Sequence, residues 1–190
     1  FYTPEELFLN HKVNYQPKCK GYPLIYDKDL KLPIINLSNK QEIIVMTGFP
    51  GCGKSTIAKQ LFPNYNIISK DEYKTKAIKM IKESIKNKKS IVIDDTNMDI
   101  KNRKVYIDLA KENNILIRSI HIIANLDLCK HLNSMRHEIL KGKNNKVPTM
   151  VYNILNKKYT YPTLSEGFNE IITIPLVLNE SMPKEFYYYY

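Results

Sequence analysis

QEIIVMTGFPGCGKST, residues 41–56, is the stretch whose reading decides the fold. Gln41 to Thr47 run apolar enough for a buried strand. Gly48 then opens G-x-x-x-x-G-K-S, which ends at Ser55, and Thr56, Ile57 and Ala58 begin a helix. Strand, glycine-rich turn and helix follow in the order that a phosphate-binding loop requires. Glycines at 48, 51 and 53 let backbone N–H groups turn inward on a phosphate chain without Cβ clashes. The expected cradle is therefore Gly48, Phe49, Pro50, Gly51, Cys52, Gly53, Lys54, Ser55 and Thr56. Lys54 offers a point charge to the outer phosphates, and the Ser55 hydroxyl can ligate Mg2+. The helix N-terminus adds partial positive charge.

Outside that stretch, 190 residues are enough for one domain with a real core. Hydrophobic content of 43% with 25% charged residues is that of a globular chain. A net charge of +10 favours a polyanionic partner such as nucleic acid over a neutral metabolite, although Lys-, Ile- and Asn-rich usage alone also produces it. Cys19, Cys52 and Cys129 are scattered without metal spacing, which fits a reducing, intracellular compartment. Cys52 is read as tolerated in the loop and open to alkylation. No apolar run approaches a membrane span and no signal peptide is evident, so no membrane partner is expected. The expected state is a monomer.

Along the chain, residues 1–40 read as an irregular, proline-punctuated linker that starts with a short helix at Thr3–Asn10. Asp27-x-Asp29 faintly resembles an aspartate-nucleophile phosphatase motif, but too little chain surrounds it to house such a domain. Residues 41–180 form the expected α/β domain: a mostly parallel sheet with helices on both faces and a helical lid. Its strands are expected at 41–47, 66–69, 90–94, 115–124 and 170–178, the last at an edge because of Pro175. Its helices are expected from Asp71 to about Lys88, from Asp99 to about Asn113 with Val105, Leu109 and Ala110 inward, from Leu126 to about Leu140, and from Pro148 to Tyr159. Residues 141–146 read as a mobile lid loop and 181–190 as a tail. Phe1 in place of Met suggests a segment of a longer protein.

A phosphate loop alone says nucleotide binding and names no reaction. Asp71, in ISKDEY, stands at a strand end and helix start, one strand after the loop. In an open parallel sheet that is the ligand-binding edge. A carboxylate there can accept a proton from an attacking hydroxyl, or serve only as a helix cap. Lys74, one turn on along the same helix, is placed to touch an acceptor phosphate. IVIDDTN, residues 91–97, is an apolar strand that ends in two acids, and such an acid usually holds Mg2+ or its water shell. Asp94 and Asp95 both remain candidates. Arg103 follows on the next helix. His131, Asn133 and Arg136 lie on the helix after the fourth strand, with Arg136 just before the lid loop, where an arginine can close over a transferring phosphoryl group. His121 and His137 are read as structural or exposed. No Asn-Lys-x-Asp guanine-reading element appears.

Several pieces together resemble the kinase domain of the bifunctional polynucleotide kinase 3′-phosphatases: GFPGCGKST (48–56), the aspartate of SKDEY (69–73), IDDTNMDIKNR (93–103), the H-x-N-x-x-R of 131–136, and PTLSEGF (162–168). FYTPEELFL (1–9) resembles the segment that joins phosphatase to kinase in that family. The resemblance implies ATP and Mg2+ as cofactors, with Lys54 and Ser55 serving nucleotide and metal; the strand-end reading adds Asp94 as a metal candidate. The resemblance also implies Asp71 as the base that activates a 5′-hydroxyl end of DNA or RNA, and Arg136 as the lid arginine. It places Asp94 and Thr96 beside the acceptor, and Lys74, Asn97 and Arg103 are the further candidate substrate residues of the sequence reading. Lys70 stands where the family often has arginine, and Lys74 also replaces an arginine, losing the bidentate fork. Asp95 stands where the animal enzymes tend to have asparagine. A small-molecule kinase with the same loop, or a non-catalytic nucleic-acid end-binding module, are the alternative readings.

Overall fold

In the computed structural model, residues 34–140 and 146–176 are described. The expected N-terminal helix, the lid loop at 141–145 and the tail lie outside them. The strands are β1 (Glu42–Thr47), β2 (Asn66–Ser69), β3 (Ile91–Asp94), β4 (Leu116–Ile123) and β5 (Glu170–Pro175). The α-helices are α1 (Lys54–Leu61), the single-turn α2 (Lys70–Tyr73), α3 (Ala77–Lys86), α4 (Ile100–Glu112), α5 (Leu126–Ile139) and α6 (Thr149–Lys158).

All pairings are parallel and the order is β2-β3-β1-β4-β5. Pro175 ends β5, an edge strand, where a missing N–H costs no ladder bond. Every residue of β1 is buried, as a central strand covered on both faces requires. Alternation sorts its side chains. Ile44 and Met46 join Ile57, Ala58, Phe62, Cys129 and Tyr152 on the face of α1, α5 and α6. Ile43 and Val45 join Ala77, Ile81, Tyr106, Ile107 and Ala110 on the face of α3 and α4.

Two sequence expectations need correction here. The helix beginning near Asp71 does not run unbroken to Lys88: α2 stops at Tyr73, and Lys74 has φ 46° and ψ −121°. A short 3-10 turn at Lys74–Lys76 then leads into α3. No glycine or proline announces the break, and a lysine rarely takes positive φ, so the local sequence carries no sign of it. In α4 the buried residues are Arg103, Tyr106, Ile107, Leu109 and Ala110, while Val105 is exposed. The stripe at 103, 106, 107 and 110 is a regular helical face whose first member is a cation.

A second buried cation sits in the sheet. Arg118 on β4 grips the fully buried Glu42 of β1 with Nε to Oε2 at 2.7 Å and Nη2 to Oε1 at 2.8 Å. The Tyr65 hydroxyl also donates to Glu42. Burial first, and then the Glu42 carboxylate, push the Tyr65 hydroxyl up to about 12. Arg118 Nη1 further holds the Asn36 carbonyl at 3.2 Å and Glu170 at 3.2 Å, pinning the chain ahead of β1 to β4 and β5. Removing one partner of such a pair strands the other charge in the core. Arg118→Met is therefore expected to destabilise the chain by about 3–5 kcal/mol in urea denaturation, and a loss under about 1 kcal/mol would contradict this role.

His121, on β4, lies against Tyr159, whose hydroxyl meets its Nε2, and makes an edge contact with the Tyr161 ring at 5.3 Å. Burial, and secondarily the Arg103 charge, lower its pKa from 6.5 to about 4. A histidine held neutral in the fold charges more readily when unfolded. The stability this contributes is present above pH 6.5 and is lost as pH falls through about 4. An NMR titration of the His121 ring is expected to give a midpoint well under 6; a midpoint near 6.5 would contradict the burial argument.

Candidate nucleotide and phosphoryl-transfer site

The ends of three parallel strands meet at one edge of the sheet. β1 runs into the glycine loop, β2 into Asp71, and β3 into Asp94 and Asp95. A cleft of about 580 Å³ opens there. Its walls include Gly51, Gly53, Lys54, Ser55 and Thr56 from the loop, Ser69 and Asp71 after β2, and Asp94, Asp95 and Thr96 after β3. Helices α5 and α6 complete it with Leu132, Arg136, Val151 and Leu155, joined by Val147 and Leu176. One cavity thus brings together Lys54, Ser55, Asp71, Asp94 and Arg136.

The loop is shaped by its glycines. Gly51 has φ 81°, and a Cβ on it would stand 2.5 Å from the Cys129 carbonyl oxygen of α5. Gly53, at φ 84°, caps α1 in the left-handed region. Of the expected cradle residues, Gly48, Phe49 and Cys52 are not part of the cleft wall. Phe49 and Cys52 are core side chains, and a Cβ on Gly48 would meet the Cys52 Sγ at 2.7 Å. Cys52 is wholly buried and burial raises its thiol, which disfavours the alkylation that the sequence left open. The Lys54 ammonium donates to the Gly48 carbonyl at 3.0 Å and the Phe49 carbonyl at 2.8 Å, curling the loop around itself.

Tyr152 had no signal in the sequence beyond an apolar helix face. Its ring is 1% exposed, and its hydroxyl donates to the Pro50 carbonyl at 3.0 Å and the Cys129 carbonyl at 3.3 Å. It ties α6 and α5 to the glycine loop. Asn133 does a related job. Its side-chain amide donates to the Val147 carbonyl at 3.1 Å, and its Oδ1 accepts from Val147 N–H at 3.3 Å and from Arg136 Nη2 at 3.4 Å. Arg136 is exposed and is steadied toward the cleft from one side by this residue. His131 is buried on the same helix.

Asp95 and Asp94 occupy the same wall but differ in partners. Asp95 Oδ1 accepts the Thr96 N–H at 2.7 Å, and its Oδ2 lies 3.6 Å from Lys70, which links the loops after β2 and β3. Three of the acceptor-side candidates lie apart from the cleft wall. Lys74, past the break in the helix, is exposed and is not part of the cleft wall, so it does not share a helical face with Asp71. Asn97 is fully buried and donates to the Met46 carbonyl at 2.8 Å. Arg103 is also fully buried, with its guanidinium paired to Glu166 at 2.7 and 2.8 Å. The signal for Arg103 was available: the helical stripe of Ala110, Ile107 and Tyr106, extended back one turn, lands on it. Nothing local identified Glu166 as its partner.

Comparison with known proteins agrees with the motif resemblance. A protein of Acanthamoeba polyphaga mimivirus, provisionally named a bifunctional polynucleotide phosphatase/kinase, is 37% identical over 196 residues, covering 96% of this chain and 47% of that one. The bifunctional polynucleotide phosphatase/kinase of Schizosaccharomyces pombe is 32% identical over 197 residues, covering 100% and 48%. The chain therefore spans about half the length of both relatives. Among solved structures, Chaetomium thermophilum Kti12 in complex with ADP-AlF3 shares the fold at a TM-score of 0.52 and 15% identity, covering 76% of this chain and 93% of that one. The sheet, its covering helices and the glycine loop are those of a P-loop NTPase-type α/β fold. Residues 33–165 match the family described as Novel STAND NTPase 3 (nSTAND3), and the chain belongs to that family.

Proposed function

We propose that this chain is an ATP-dependent polynucleotide 5′-hydroxyl kinase, which transfers the γ-phosphoryl group of ATP to a 5′-OH end of DNA or RNA in end repair. The observation that carries the reading is the single cleft lined by Lys54, Ser55, Asp71, Asp94 and Arg136. The names of the two relatives support the choice of acceptor. In the chemistry proposed, the 5′-oxygen attacks the γ-phosphorus in line, and the bond from that phosphorus to the bridging oxygen of ADP breaks. Asp71, exposed at the mouth of the cleft, takes the proton from the hydroxyl. Lys54 exchanges a loop carbonyl for a phosphate oxygen, and Arg136 meets the charge that spreads over the equatorial oxygens.

The donors in the cleft suit Mg2+. The Ser55 hydroxyl and the Asp94 and Asp95 carboxylates are hard oxygen ligands. Among the described residues no group of three or more His, Cys, Asp or Glu side chains stands ready to hold a metal alone. Mg2+ that keeps several waters and takes phosphate oxygens needs only one or two protein ligands. Bound there, Mg2+ would neutralise phosphate charge. Among the described residues no helix is long and apolar enough to cross a membrane.

Two outcomes test this. In a radiolabel-transfer assay with a 5′-OH oligonucleotide, wild type is expected to transfer label and Asp71→Ala to lose about 10²–10⁴-fold in kcat with ATP affinity kept, because a base acts on the transition state more than on binding. Near-normal transfer by Asp71→Ala would remove that role. Gly51→Ala forces a Cβ against the Cys129 carbonyl at a positive φ, so ATP affinity is expected to fall at least tenfold by equilibrium binding. Unchanged affinity would show that the loop does not form the cradle.

A further inference from the structure

We infer that Arg103, Glu166 and Asn97 form a buried brace that positions the Asp94–Thr96 wall of the cleft against the glycine loop. They are positioning residues, not substrate contacts. The inference rests on the proposed reading of the cleft as the reaction site.

The donor count excludes a substrate role for Arg103. A guanidinium has five N–H donors, and each has a protein acceptor here. Nε donates to Glu166 at 2.7 Å. Nη1 donates to the Asn97 carbonyl and the Thr160 carbonyl, both at 3.0 Å. Nη2 donates to Glu166 at 2.8 Å and to the Thr160 hydroxyl at 3.1 Å. No donor is left for a phosphate without breaking one of these. Glu166 is itself fixed, since its Oε1 also accepts the Thr163 N–H at 2.9 Å.

The fork holds the turn after β3. Asn97 sits at φ 46°, in the left-handed region that asparagine tolerates better than most residues. Its carbonyl is gripped by Arg103 from one side. From the other, its side-chain amide donates to the Met46 carbonyl at 2.8 Å, and so to β1 just ahead of the glycine loop. One residue earlier, the Thr96 carbonyl accepts the Gly48 N–H, the first of the loop, at 3.1 Å. The turn carrying Asp94, Asp95 and Thr96 is therefore stitched to both sides of the point where β1 becomes the loop. Thr160 N–H donates to the Met98 carbonyl at 2.9 Å, so the segment after α6 closes over the same turn. A misplacement of about 1 Å in such a wall costs on the order of 10²-fold in rate, which is ample reason for a fully engaged buried arginine.

The test compares Arg103→Lys, Glu166→Gln and wild type by two readouts. The first is amide hydrogen exchange at Gly48, whose N–H is protected by the Thr96 carbonyl. Both variants are expected to speed that exchange at least tenfold while the amides of β1 stay protected. The second is steady-state phosphoryl transfer to a 5′-OH oligonucleotide, normalised to folded protein. Arg103→Lys, which keeps the charge and loses the fork, is expected to lose about 10–100-fold in kcat, with KM for ATP within about twofold. Glu166→Gln is expected to lose less. A kcat per folded molecule equal to wild type, or Gly48 exchange unchanged in both variants, would overturn the brace. If wild type transfers nothing to a 5′-hydroxyl, the proposed function fails, and Gly48 exchange still decides the brace alone.

Discussion

Parallel register is the constraint on which the site depends. Val45 of β1 pairs with Ile93 of β3, and Ser69, the last residue of β2, pairs with Asp94, the last of β3. Three strands therefore finish at nearly the same height, and the loops leaving them must share one edge. A slip of one residue in β3 would turn Asp94 to the other face and bury a carboxylate among the isoleucines. The buried alternation of Ile43, Val45, Ile91 and Ile93 against Ile44, Met46 and Val92 holds that register. Hydrophobic sorting several residues away thus sets the positions of Lys54, Asp71 and Asp94 in one cleft.

Most of this frame was legible because its signals are local. The glycine loop carries a dense motif, the strands are short apolar runs, and the helices from Leu126 and Pro148 start where their sequence says. Asp71 and Arg136 were legible as cleft residues because each stands next to an element end at the sheet's ligand edge. The long-range polar pairs were not. Arg103 and Glu166 are 63 positions apart, and Arg118 and Glu42 are 76 apart, so neither pair leaves a periodic trace near its partner. An arginine near a phosphate site reads as an anion contact by default. Only the partner decides otherwise, and the partner is set by tertiary packing. The break at Lys74 was invisible for a related reason: its backbone conformation is imposed by the junction and not by the residue.

The two arginines also show how the molecule divides its labour. Arg136 is exposed, donates to Asn133, and lines the cleft. Arg103 has no exposure and no donor to give. The exposed cation lines the cleft, and the buried one holds the turn after β3. Tyr152 ties α5 and α6 to the glycine loop through the Cys129 and Pro50 carbonyls.

The most direct measurement is a crystal structure with Mg2+, a non-hydrolysable ATP analogue and a 5′-OH oligonucleotide. The account predicts an Asp71 carboxylate oxygen within about 3 Å of the terminal 5′-oxygen, the γ-phosphate on the glycine loop, and the Arg136 guanidinium on its equatorial oxygens. A 5′-end bound elsewhere, or an Asp71 side chain turned out of the cleft with the analogue in place, would contradict it.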